Sequence, residues 1–283
     1  MRRLLALSLA CALAACHAAV ESPARPVTPP PAPGLERVEL GTWHGTSFGA
    51  YLAPKEPFLD DGGGFDLLFE LNAGMMAESD MRALGAKAVY LCMQNLGMGT
   101  TPYWDTFADQ SHFAALLSEA TRSVQTLTGR KDAHIRKLGV VAWSAGYAAV
   151  QQILVVPRYY DQIGAVVLLD GLHTGYLKKP DGTPSKEADL HTLAPFVRFA
   201  EDAAAGKKVF VFTHTAIIPP DYASTTEVAD ALVKRLGATA DGDAFSLGDF
   251  HVLAHGGGAA KDHVDNLHLI DDVLARWVLP RWK

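Results

Sequence analysis

The chain has 283 residues, enough for one large domain or two small ones. It is 49% hydrophobic and 20% charged, an ordinary balance for a globular protein with a sizeable core. Its formal charge of −6 argues against a nucleic-acid partner, because phosphate recognition needs a basic surface.

The first segment does not read as part of a fold. Arg2 and Arg3 form a charged start, and Leu4 to Leu13 an apolar run too short to span a bilayer as a stable helix. The run ends in Leu13-Ala14-Ala15-Cys16, which resembles a bacterial lipobox. The resemblance implies a lipoprotein signal peptide over residues 1–15. Cys16 would then be lipidated, palmitate included, and would head the mature chain in the cell envelope. Residue 17 is His and not Asp, which by the same resemblance points to the outer membrane. Residues 16–34 are proline-rich and favour extended polyproline conformation, so they read as a stiff tether to a domain spanning 35–283. Of three cysteines, Cys11 lies in the signal and Cys16 at the anchor, which leaves Cys92, in an apolar run, as a buried small hydrophobe.

From Leu35 short apolar runs alternate with helical patterns, and no internal repeat is visible. "RVELG" and "SFGAYLA" read as early strands, possible partners in a hairpin. "FDLLFELNAG" is a strand entering a glycine-ended loop, followed by the short segment Met75–Leu84. "KAVYLCMQN" is a strand, and "SHFAALLSEATRSVQTLTG" an amphipathic helix with Ser111 as N-cap and Gly129 just past its end. Next come the strand "LGVVAW", the helix Tyr147–Leu154, the strand "GAVVLLD" and a mixed segment to Gly206. That segment has room for a loop and one helix, so a fairly open site is expected. The strand "KKVFVFTHT", the helix "STTEVADALVKRLG", a last strand near "DFHVLAH" and a final helix "HVDNLHLIDDVLARW" complete the chain. Strands from Phe65 onward are apolar on both faces and separated by helices, the pattern of a mostly parallel sheet covered on both sides. In such α/β sheets reactive groups gather at the carboxyl ends of the strands.

Ala142-Trp143-Ser144-Ala145-Gly146 follows an apolar strand and precedes a helix. It is close to the G-x-S-x-G nucleophile elbow, which needs small residues two before and two after the serine because strand and helix approach closely at a sharp turn. Gly146 meets that need, and Ala142 is the smallest substitute for the first glycine. With "LLFELNAG" after the third strand, "LLDG" after the elbow and "GGGAAKDH" before the last helix, the chain from Leu35 resembles the α/β-hydrolase superfamily. The resemblance implies an α/β-hydrolase fold and a Ser–Asp–His order of catalytic residues. It also implies an oxyanion hole built from the N–H of Ala145 and of Ala73 or Gly74, with Asn72 supporting the loop. The chemistry asks for these types. A serine hydroxyl needs an imidazole to take its proton, a carboxylate must hold that imidazole in the right tautomer, and each oxyanion donor contributes roughly 3 kcal/mol in the transition state.

The sequence leaves choices open. Eleven histidines are present. His263 stands at the loop end where the carboxyl edge of the sheet should be and is favoured as base over His255 and His268. Five residues of helix turn about 500°, so His263 and His268 cannot both face one serine. Asp170, ending an apolar strand, is favoured as the acid, with Asp221 after the next strand as the alternative. His173 and His214 should also sit at strand ends, and Trp143, Tyr103 and Trp104 would supply apolar walls. The leading function is a serine hydrolase acting on an ester or related acyl bond of a small-molecule or lipid-like substrate. One alternative is an inactive hydrolase fold used as a surface binding protein. The other, metal-dependent hydrolysis, lacks an H-E-x-x-H or other tight ligand spacing. No nucleotide or flavin loop is evident, and no cofactor is expected: "DGGGF" and "HGGGA" lack the strand–GxGxxG–helix arrangement.

Overall fold

The computed structural model describes residues 37–282 except 98, 240 and 241. The expected signal peptide, lipidation site Cys16 and tether all lie outside the described residues. The described residues belong to one compact unit. In chain order the elements are β1 (His44–Gly45), β2 (Gly49–Leu52), β3 (Gly64–Leu71), α1 (Glu78–Leu84), β4 (Val89–Met93), α2 (Thr101–Ala108) and α3 (Gln110–Thr128). Then follow β5 (His134–Trp143), α4 (Tyr147–Leu154), α5 (Pro157–Gln162), β6 (Ile163–Leu169), β7 (Tyr176–Lys178), β8 (Pro184–Ala188), α6 (Ala194–Ala204) and β9 (Val209–His214). The chain continues through α7 (Thr225–Arg235), β10 (Ala244–Leu247), β11 (Phe250–Ala254), α8 (Ala260–Leu267) and α9 (Ile270–Val273).

The main sheet runs β1-β2-β4-β3-β5-β6-β9-β11-β10. Pairings from β4 through β3, β5, β6 and β9 to β11 are parallel, and antiparallel strands close both edges. This is the α/β-hydrolase arrangement expected from the sequence. Alternation along each strand feeds two cores. Phe65, Leu67 and Phe69 of β3 and Phe210 and Phe212 of β9 meet the side holding α3, α4, α6 and α7. Leu68, Val141, Val167 and Val211 meet the other, with Met81 and Leu84 of α1 and Ile270, Val273 and Trp282 near the C-terminus. The parallel strands therefore present their carboxyl ends on one edge, where β3, β5, β6 and β9 deliver Asn72, Ser144, Asp170 and Thr215.

Several local expectations need correction. "RVELG" forms no strand: Leu40 makes only an isolated bridge with Pro54, and the hairpin is β1–β2. The N-cap of α3 is Asp109, whose carboxylate accepts the Ser111 N–H at 2.9 Å, because a carboxylate there serves the orphan donors that a serine inside the first turn cannot. Gly129 does end α3, in left-handed conformation at φ 71°. Helices α2 and α5, strand β10 and the β7–β8 hairpin were not read from the sequence. The last helix starts earlier than His263, because Asp262 accepts the Ala259 N–H at 2.9 Å and fixes the first turn there. It then breaks between Leu267 and Ile270.

Candidate active site

Strand β5 ends at Trp143, and Ser144 turns the chain at φ 51° into a tight turn, Ser144–Gly146, that opens α4. A non-glycine residue in that region is strained, and the surroundings must hold it there. A Cβ on Gly146 would lie 2.6 Å from the Leu71 carbonyl oxygen, so the small residue after the serine is a requirement of close passage against β3. Asp170 is the matching bend after β6, at φ 44°. Gly171 follows, and a Cβ there would lie 2.1 Å from the Ser144 carbonyl oxygen. The two bends interlock through their backbones.

His263, in the first turn of α8, bridges the two. Its Nε2 lies 2.8 Å from Ser144 Oγ, and its Nδ1 lies 2.6 Å from Asp170 Oδ2. An ionised carboxylate only accepts, so Nδ1 carries the hydrogen and Nε2 is left to receive the serine proton. Trp143 fixes the imidazole from beside it: its Nε1–H donates to the His263 carbonyl at 3.0 Å, and its ring stacks on the imidazole with centroids 5.0 Å apart. Trp143 is thus a support for His263, where the sequence suggested a pocket wall.

Asp170 is 2% exposed. Burial pushes its carboxyl up, but hydrogen bonds from His263, the Thr215 N–H and Thr225 outweigh that and hold it below the ordinary carboxylate range. Oδ1 accepts the Thr215 N–H at 2.9 Å and the Thr225 hydroxyl at 2.8 Å, and Oδ2 accepts the Thr215 hydroxyl at 3.0 Å besides His263. Sequence reasoning noticed Gly171 only as part of "LLDG" and missed Thr215 and Thr225. The glycine directly after the strand-ending aspartate was a visible signal, whereas nothing local marked the threonines.

The alternative assignments do not converge on this cluster. Asp221 is exposed, and the His263 Nδ1 it would need is taken by Asp170. His255 contributes its backbone, with its N–H donating to the His214 carbonyl at 2.8 Å. His268, just past the end of α8, turns to Asp80, with Nδ1 2.7 Å from Oδ2. His173 donates from Nδ1 to the Ala223 carbonyl at 3.2 Å, and His214 pairs with the Thr226 hydroxyl at 3.0 Å. Burial pushes the pKa of both imidazoles down, and neither bonds Asp170. Tyr103 is buried and donates to Asn72 Oδ1, while Trp104 is 43% exposed. Cys92 is buried and free, with burial pushing its thiol up to about 12, so it is inert as expected. Among the described residues no group of three or more His, Cys, Asp or Glu side chains is placed to hold a metal ion.

The oxyanion side brings the main surprise. Ala145 follows Ser144 in the first helical turn, where backbone N–H groups have no partner within the helix. Asn72 supports the loop after β3, donating from Nδ2 to the Trp143 carbonyl at 3.0 Å. The expected donors Ala73 and Gly74, however, give their N–H groups to the Glu70 carboxylate, at 2.5 and 3.0 Å. In this conformation they are not directed at a group on Ser144. The physical reason is a competing acceptor: the fully buried Glu70 carboxyl needs partners and takes the two nearest donors. A glutamate inside the otherwise apolar "LLFEL" was the available signal.

No family model and no curated protein sequence matches the chain. Among solved structures, it is similar to the enterobactin esterase of Shigella flexneri, solved in the presence of 2,3-di-hydroxy-N-benzoyl-serine, at 13% identity and a TM-score of 0.48. The match covers 90% of this chain and 62% of that one, so the chain spans under two thirds of that structure's length.

Proposed function

We propose that the protein is a serine hydrolase that cleaves an ester or related acyl bond of a small-molecule or lipid-like substrate. The observation that carries this is the unbroken line from Ser144 Oγ through His263 to Asp170, with bonds of 2.8 and 2.6 Å. Ser144 Oγ attacks the substrate carbonyl while His263 Nε2 takes its proton. Asp170 stabilises the resulting imidazolium and keeps its orientation. The tetrahedral oxyanion receives the Ala145 N–H. Its collapse releases the alcohol, which takes the proton back from His263, and leaves an acyl group on Ser144. Water, deprotonated by the same imidazole, then frees the acid and restores the serine. A fluorophosphonate probe should label the wild-type protein, and Ser144→Ala should abolish that labelling while circular dichroism stays unchanged. Labelling of the Ala variant at the wild-type rate would remove Ser144 from the mechanism. The sequence also supports attachment of this activity to the cell envelope through lipid on Cys16.

A further inference from the structure

The triad is assembled, yet the loop that should help hold the oxyanion is engaged elsewhere. Along that loop Asn72 has φ 82°, Ala73 φ −85° and Gly74 φ 57°. Alternating hands of this kind turn successive N–H groups toward one point and make an anion-binding nest. The nest already has a tenant, Glu70, which stands two residues before Asn72 on β3. The loop is also coupled to the nucleophile, since Asn72 donates to the Trp143 carbonyl and Gly146 passes against Leu71.

We propose that Glu70 is a positioning residue that latches the oxyanion loop: while its carboxylate fills the nest, Ala73 and Gly74 are withheld from Ser144, and acylation requires the Gly74 N–H to pass from Glu70 to the substrate oxygen. The inference rests on the serine-hydrolase reading above. Gly74 is the member of the pair with room to turn. Its bond to Glu70 is the longer, at 3.0 Å against 2.5 Å, and nothing lies within 4 Å of the position its Cβ would take. Ala73, 3% exposed, is held by its packing. A second effect has the same sign. An ionised Glu70 in a low-dielectric interior opposes a second negative charge developing on the substrate at Ser144, and a protonated one does not.

The latch therefore follows the charge of Glu70. Burial pushes its carboxyl up to about 8, against the lowering effect of the Ala73 and Gly74 N–H groups. The other titratable groups that face it are Tyr90 and Cys92 on β4 and Tyr103 on α2, and Asp80 on α1 acts in turn on Tyr90. Burial raises both tyrosines and the cysteine, so they stay neutral through this range, and Asp80 is held by His268.

The test is the pH dependence of fluorophosphonate labelling, and of kcat and KM on p-nitrophenyl acetate, in the wild type and in Glu70→Gln. The glutamine oxygen still accepts the Ala73 N–H, but its amide cannot accept the Gly74 N–H, and the charge is gone. The wild-type rate should fall through pH 8, by about 30-fold at pH 9.5. The Gln variant should hold its rate there, exceeding the wild type at least about tenfold in kcat with little change in KM. A purely structural role would lower the folded fraction and leave the shape of the profile alone. Equal or slower labelling of folded Glu70→Gln at pH 9.5 overturns the latch alone. Absence of labelling in both proteins at every pH overturns the hydrolase reading and the latch with it. If Glu70→Gln does not fold, the wild-type profile decides: a rate that stays level from pH 7 to 9.5 overturns the proposal.

Discussion

Replacing Asp170 by Asn probes the site at its most loaded point. The carboxylate accepts four hydrogen bonds, from the Thr215 N–H, the Thr215 and Thr225 hydroxyls and His263 Nδ1. Asparagine has one oxygen and an amide that only donates. The oxygen is needed where the Thr215 N–H and the Thr225 hydroxyl converge, so the amide must face His263. His263 Nδ1 then becomes an acceptor, its hydrogen moves to Nε2, and Nε2 can no longer take the Ser144 proton. Loss of the right tautomer and of the counter-charge should lower kcat about 10³- to 10⁴-fold, or roughly 4–5.5 kcal/mol of barrier. Stability should fall by only about 1–3 kcal/mol, because most of the donors keep a partner. The pH dependence of stability gives an independent check. The Asp170 carboxyl is held low in the folded state, so its contribution is present above the ordinary carboxylate range and is lost as pH falls through the folded value. Melting temperature of the Asn variant should therefore decline less in acid than that of the wild type. The assay is kcat on one activated ester, with circular dichroism to establish folding and exposed Asp221→Asn as a control within about twofold of wild type. Because triad losses are non-additive, adding Asp170→Asn to His263→Ala should cost little more. A folded Asp170→Asn enzyme within tenfold of wild-type kcat would refute the reasoning.

Two further outcomes follow from the close contacts and from the chain's start. Gly171→Ala would drive a Cβ to 2.1 Å from the Ser144 carbonyl oxygen, so the elbow must shift; labelling by fluorophosphonate should fall at least about 100-fold, since small misplacements of reacting groups cost that much, and a variant labelled at the wild-type rate would show that the two bends do not need each other. Cys16→Ser should end incorporation of radiolabelled palmitate and release the protein from the membrane fraction on cell fractionation, and retention of both would refute lipid attachment at Cys16.

The identity of the elbow was legible because all its determinants lie within a few residues. An apolar strand, a serine flanked by small residues and a helix start fix the turn locally, and α4 begins at Tyr147 as its pattern required. The same holds for the glycine that ends α3, whereas the box in which the Ser224 hydroxyl and Glu227 cap α7 is equally local but was not read. Short or half-exposed pieces such as β7, β8 and β10 gave no comparable signal, since a few residues at a sheet edge or in a surface hairpin show no periodicity to read.

The sequence by itself thus determined the fold class, the strand-to-helix turn at Ser144 and a short set of candidate partners for that serine. Only the tertiary structure chose among them. His263 meets Ser144 across 119 residues and Asp170 across 93, and the choice of Asp170 over Asp221 follows from β6 lying directly beside β5 in the sheet. The threonines that hydrogen-bond Asp170 arrive from 45 and 55 residues away. Glu70 is a polar residue within an apolar strand, and only the backbone hands of Asn72, Ala73 and Gly74 turn two N–H groups onto it. Hydrogen-bond partners over such separations depend on strand order and backbone direction, and neither is encoded within the few residues over which local preferences act.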